Sequence, residues 1–212
     1  MLNLETLLLL NLIVAIAFII KATTGFGENL VMIPLALLFL ELKVVLPLTL
    51  VIVLIADGYL LYRFHVDIHW PVFWLFLVAA FPGIILGTLG LQFIEEKLLE
   101  KVLGIMVTTY AVYDFFQSKG NRKSTPGKGL NLGAGFTGGI LSGMLGIGGP
   151  PVIAYLNHKG LTKQVFRATC IITFLSFDLF RLGSYTWKGY FTTEILLNGL
   201  SLIPAFAVGS FF

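Results

Sequence analysis

Apolar stretches follow one another along this chain, divided by short breaks of Gly, Pro and charged residues. They cover roughly 6–23, 26–41, 44–64, 70–92, 97–117, 130–146, 149–158, 163–185 and 191–212. A helix that crosses the hydrocarbon core needs about 20 apolar residues at 1.5 Å per residue. The runs 44–64, 70–92, 97–117 and 163–185 reach that length. The runs 26–41 and 149–158 are shorter and start directly after Gly-rich breaks, so they are expected to be half-helices or re-entrant arms. The N-terminal run lacks a basic start and a small-residue cleavage site and reads as a helix rather than a signal peptide. The pattern predicts an all-α, polytopic integral membrane protein with about 8–9 transmembrane or re-entrant helices.

The two breaks are Thr24-Gly25-Phe26-Gly27-Glu28-Asn29 and Gly143-Met144-Leu145-Gly146-Ile147-Gly148-Gly149-Pro150-Pro151, and Gly25 and Gly27 fall on Gly146 and Gly148 at an offset of 121 residues. The same offset pairs Val31 with Val152, Val44 with Val165 and Asp57 with Asp178. Shifted by one, Pro82 and Gly87 pair with Pro204 and Gly209. This predicts two repeats, residues 1–117 and 130–212, joined by a basic linker at 118–129. An odd number of crossings per half makes the second repeat inverted, the arrangement in which broken helices meet at a midplane binding site. The run 97–117 would have its counterpart at about 218–238, beyond Phe212, so the second half is expected to be shortened or truncated.

Composition agrees with a membrane protein. Hydrophobic residues make up 57% and charged residues 12%, against roughly 25% charged in a soluble domain. The net charge of +3 sits in loops, which makes it a topology signal rather than a nucleic-acid footprint. Lys119, Arg122, Lys123 and Lys128 place the linker in the cytoplasm and, five crossings earlier, the N-terminus outside a cell membrane. Trp70, Trp74, Trp187, Tyr59, Tyr62, Tyr185 and Tyr190 read as interfacial aromatic belts. The lone Cys170 excludes an internal disulfide and a CxxC site. His65, Asp67 and His69 read as an interfacial loop rather than a metal cluster. With no Walker-type G-x-x-x-x-G-K-[ST] in the sequence, ATP chemistry is not expected. No cofactor or metal is expected.

The segment Gly135-Phe136-Thr137-Gly138-Gly139-Ile140-Leu141-Ser142-Gly143 running on to Pro151, with a weaker match from Thr24 to Pro34, resembles the sulfite exporter TauE/SafE family, also called the toluene sulfonate uptake family. The resemblance covers nearly the whole chain. It implies a permease for small anions such as sulfite or organosulfonates. Glu28 stands where the family usually has a third Gly, and Pro150-Pro151 replaces a common Gly and aliphatic residue.

The residues themselves give that chemistry a basis. Gly lets the backbone leave helical geometry, and a helix that restarts presents free N–H groups to an anion. The candidate binding residues are therefore Thr24, Gly25, Phe26, Gly27, Glu28 and Asn29 in the first break and Gly146, Ile147, Gly148, Gly149 and Pro150 in the second. Thr23 and Ser142 add hydroxyls, and Pro150 and Pro151 suit a first helical turn. Gly135, Gly139 and Gly143, four apart, read as a packing face. Ionisable residues inside spans are functional candidates by default. Glu28 carries two readings, a proton carrier coupled to transport or an ion pair with Lys21 that fixes the break. Asp57, Asp178 and Arg181 read as a structural brace, with Asp178 and Arg181 on one helical face. His158 is either a pH-sensitive gate or an interfacial helix end. The first break thus holds a titratable group, and the second keeps backbone-only chemistry.

The leading function is a secondary transporter of a small, sulfur-containing anion, with protons as the candidate coupling ion, the bilayer as its surroundings and a homodimer as a candidate assembly. A passive anion channel is the alternative. An intramembrane hydrolase built on Ser142 and His158 is remote, since Ser142 lacks a G-x-S-x-G elbow.

Overall fold

The computed structural model describes residues 2–64, 68–117 and 128–210. Among them the chain is all-α: α1 Leu4–Thr24, α2 Glu28–Ala36, α3 Leu42–Phe64, α4 Trp70–Phe93, α5 Glu96–Gln117, α6 Lys128–Leu145, α7 Gly149–His158, α8 Lys163–Trp187, α9 Thr193–Leu200 and α10 Ile203–Ser210. The linker residues 118–127, with His65 and Asp67 of the H-x-D-x-H segment, lie outside the described residues.

Helix ends follow local chemistry. The side chain of Asn3 accepts from the Thr6 N–H at 2.8 Å and caps α1. At the other end Gly25, at φ 89°, closes the helix by donating its N–H to the Lys21 carbonyl at 2.7 Å. The short helices α2 and α7 start after each break, as expected. The run 191–212 is not continuous: α9 stops at Leu200 and α10 starts at Ile203. Pro204 accounts for this, because it has no N–H to give and its ring clashes with the carbonyl four residues back.

Four stretches are long and apolar enough to cross a membrane: Leu4–Thr24, Leu42–Tyr62, Trp70–Phe93 and Thr193–Ser210, the last combining α9 and α10. Helices α5 and α8, at 22 and 25 residues, match them in length but not in composition. Glu96, Lys97, Glu100 and Lys101 load the start of α5, and Lys163, Arg167, Asp178 and Arg181 are spread along α8. Apolar exposure is inside-out relative to a soluble fold. Leu4, Leu8, Leu12, Ile16 and Ile19 form an exposed stripe on α1, while Lys21 is 1% exposed. An apolar outside around a charged inside is what hydrocarbon solvent selects, and the protein is a multi-pass membrane protein.

Helices pack closely through glycine, most tightly in α4 with α6 and in α1 with α10. In α4 and α6 the contacts are reciprocal: a Cβ on Gly87 would lie 2.2 Å from the Ile140 carbonyl oxygen, and one on Gly143 2.3 Å from that of Ile84. Gly139 meets the backbone of Ala80 in the same way, so the expected packing face of Gly135, Gly139 and Gly143 is observed. Gly209 of α10 presses on α1, where a Cβ would stand 2.6 Å from the Ala15 carbonyl oxygen. Helix α8 lies centrally, against α3, α4, α6 and α7. The exposure that an aromatic belt requires is found at Trp70, Trp74, Trp187, Tyr59 and Tyr62. It fails for Tyr185, which is fully buried because its hydroxyl donates to the Gly143 carbonyl at 2.9 Å.

Candidate functional site

The two breaks meet in space. Gly25 and Gly27 take φ of 89° and 95°, and Gly146 takes 71°, backbone that L side chains rarely adopt. The Asn29 carboxamide, at the start of α2, donates through Nδ2 to the Gly146 carbonyl at 3.0 Å and so ties one break to the other. Between them lies a cavity of about 30 Å³, room for one or two water-sized groups. Phe26, Gly27, Glu28 and Asn29 line it from the first break, and Gly146, Ile147, Gly148 and Gly149 from the second. Ser142 completes the second side, while Phe174, Phe177 and Asp178 of α8 form the wall.

Three expected binding residues fall outside this lining. Thr24 is exposed, and its hydroxyl lies 2.8 and 2.6 Å from the Ile20 and Phe26 carbonyls, either of which can accept its one proton, closing the turn. Gly25 is buried against Arg167, whose Cγ would lie 2.8 Å from a Cβ placed there. Pro150 is buried in the first turn of α7, where its missing N–H costs nothing.

The charges sort into two clusters. Lys21, from the last turn of α1, reaches Glu28 at 2.6 Å and also pairs with Asp57 of α3. The ion pair expected as one reading of Glu28 is therefore present, and it is shared by a second carboxylate. In the other cluster Arg181 Nη2 lies 3.1 Å from Asp178 Oδ1, one helical turn apart as the i, i+3 spacing predicts. The buried charges Lys21 and Arg181 thus face Glu28, Asp57 and Asp178. His158, half-buried at the end of α7, shares a ring nitrogen with the Ala154 carbonyl at 2.6 Å.

Helix α8 also holds both broken ends. A helix C-terminus leaves carbonyls without intrahelical donors. Arg167 Nη2 donates to Ala22 of α1 at 2.9 Å, and Tyr185 donates to Gly143 near the end of α6. These ties, and the hub position of Lys21, were not anticipated from sequence. A lysine in the last turn of an apolar run was the available signal. The expected backbone-only character of the second break also needs correction: Asp178 lines the cavity beside Gly146 and Gly148. The offset of 121 had placed Asp178 on Asp57, deep in a helix, and the fold turns only Asp178 toward the cavity.

A chain with these features matches the family model described as sulfite exporter TauE/SafE over residues 10–212. It is 22% identical over 149 residues to a protein of Cupriavidus necator (strain ATCC 17699 / DSM 428 / KCTC 22496 / NCIMB 10442 / H16 / Stanier 337) described as a probable sulfite/organosulfonate exporter TauE. That match covers 69% of this chain and 57% of the relative, so the chain spans a little over half the length of the protein it resembles. No solved structure matches it.

Proposed function

Because the chain belongs to the sulfite exporter TauE/SafE family, we propose that it is a secondary transporter of a small sulfur-containing anion, sulfite or an organosulfonate, in the cytoplasmic membrane. The cavity between the two Gly-rich breaks is its binding site, the residues on either side of the 118–127 segment belong to two inverted repeats, and that segment faces the cytoplasm. One observation carries this reading: two non-helical glycine segments, one from each half, converge on a cavity at the ends of α1 and α6. Such segments expose backbone amides where an oxyanion needs donors.

The buried charges support proton coupling. Among the buried side chains Lys21 and Arg181 oppose Glu28, Asp57 and Asp178, one carboxylate more than these two cations neutralise. An unpaired buried charge is costly, so the empty site is neutral with one resident proton. A monovalent anion entering the cavity restores the deficit, and a second proton restores neutrality. Transport then moves one proton with each singly charged anion.

The test is flux into proteoliposomes made with the full chain. Wild type should show saturable uptake of sulfite driven by a pH gradient. Glu28→Gln and Asp178→Asn, which neutralise the two carboxylates lining the cavity, are compared in the same assay: the one that removes the coupling carboxylate should lose pH-driven accumulation while keeping sulfite exchange. Flux that rises linearly with concentration and ignores the gradient would make the protein a channel and overturn the proposal.

A further inference from the structure

Arg181 is 0% exposed, yet its guanidinium is poorly served. Such a group carries five N–H donors in a planar fork. Here Nη1 reaches the Ser142 carbonyl over a long 3.5 Å. Nη2 has its ionic contact with Asp178 but lacks the alignment of a hydrogen bond, and Nε has no hydrogen-bond partner among the described residues. Buried donors without acceptors cost free energy, and native interiors seldom leave them without a reason.

The position of Arg181 supplies one. A Cβ on Gly146 would stand 2.8 Å from Nη1, so the guanidinium lies directly behind the cavity wall, where the wall residue has no side chain. Asp178, the counter-ion of Arg181, lines the cavity itself. The charged side chains that line it are both carboxylates, Glu28 and Asp178. Lys21 cannot be spared for an incoming anion, because it already serves Glu28 and Asp57.

We infer that Arg181 is the cation that receives the transported anion, and that Asp178 is its exchangeable counter-ion. The anion takes the place of Asp178 on the guanidinium while the Asp178 carboxylate takes up a proton. Charge balances, since one proton enters with one monovalent anion and Arg181 stays protonated throughout. Guanidinium suits the role because its fork matches two oxygens of a sulfonate or sulfite as it matches a carboxylate. The charged groups facing Asp178 are Lys21 of α1, Glu28 of α2, Asp57 of α3 and Arg181 of α8 itself. Helix α4 has no charged residue, and on α7 His158 is engaged by Ala154. This inference rests on the cavity being the substrate site and deepens that reading.

The experiment measures binding to the purified full chain in detergent across a pH series. The probe is methanesulfonate, a sulfonate whose charge is fixed over the physiological range. Wild-type affinity should weaken as pH rises, by up to about tenfold per pH unit, because the anion competes with ionised Asp178. Asp178→Asn should bind tightly with no such slope. Arg181→Gln should lose at least about tenfold in affinity, and Arg181→Lys should recover part of it. If Arg181→Gln does not fold, the pH slope of Asp178→Asn decides alone. A wild-type slope in Asp178→Asn, or wild-type affinity in Arg181→Gln, overturns the inference. A slope lost in Glu28→Gln but kept in Asp178→Asn assigns the proton to Glu28 and also overturns it, leaving the proposed transport intact. No binding of methanesulfonate or sulfite to wild type would overturn the cavity reading instead.

Discussion

Alanine at three glycines separates the two reasons the breaks need this residue. Gly27 has φ of 95° and no atom within 4 Å of a built Cβ, so Gly27→Ala adds backbone strain alone. Left-handed backbone costs a non-glycine residue roughly 1–2 kcal/mol. Gly148 has an ordinary φ of −87° but meets the Gly138 carbonyl oxygen at 2.7 Å and Ser142 Cβ at 3.0 Å, so Gly148→Ala adds crowding alone. Overpacking of that kind costs about 1–3 kcal/mol. Gly146 carries both burdens: φ of 71°, with Ile33 Cδ1 at 2.7 Å and Arg181 Nη1 at 2.8 Å. Gly146→Ala should therefore cost about 2–5 kcal/mol, the strain and crowding together. The assay is thermal unfolding of the full chain in detergent, where a chain this size loses about 2–4 °C per kcal/mol. Gly27→Ala should fall by a few degrees, Gly148→Ala by a similar amount, and Gly146→Ala by about their sum. The reasoning fails if Gly146→Ala is no less stable than Gly27→Ala. It also fails if Gly27→Ala is the worst of the three, since open space would then be crowded.

Lys21→Met leaves Glu28 and Asp57 buried without their shared cation and should cost about 3–5 kcal/mol in the same assay. Adding Asp57→Leu should recover part of that loss, and additive penalties in the double variant would count against the shared pair. In the α4 and α6 interface, Gly143→Ala should cost about 1–3 kcal/mol. Gly133→Ala on the same helix, with nothing within 4 Å of its Cβ, should be neutral or stabilising by up to about 1 kcal/mol. Equal unfolding temperatures for these two variants would refute close glycine packing.

What the sequence disclosed depended on how local the cause was. The breaks could be read because Gly25, Gly27 and Gly146 adopt backbone that few other residues tolerate, so residue type alone marks the turn. The Asp178–Arg181 pair could be read because three residues is a fixed geometry on a helix. Lys21 and Asp57 are 36 positions apart and pair across two helices, which no local spacing encodes. Tyr185 shows the same limit from the other side. Next to Trp187 it looks like a belt residue, but helix periodicity turns it to the core, where a freed carbonyl needs a donor. Pro204 splits the run 191–212 into α9 and α10, a break that the continuous hydrophobicity around it conceals.

The 121-residue offset sharpens the difference between the halves. It superposes Asp57 on Asp178 but Lys21 on Ser142, and it sets Arg181 against Leu60. The offset aligns a carboxylate in both halves, while the cations stand at unmatched positions on α1 and α8. In the first half the cation belongs to α1 and draws α1, α2 and α3 together through two carboxylates, so releasing it would unfasten three helices. In the second half cation and carboxylate share α8, and their separation disturbs no other ion pair among the described residues. An exchange of partners is therefore far cheaper at Arg181 than at Lys21. That difference is the reason for proposing that Lys21 holds the first break and that the Asp178–Arg181 pair, with Asp178 on the cavity wall, opens for the anion.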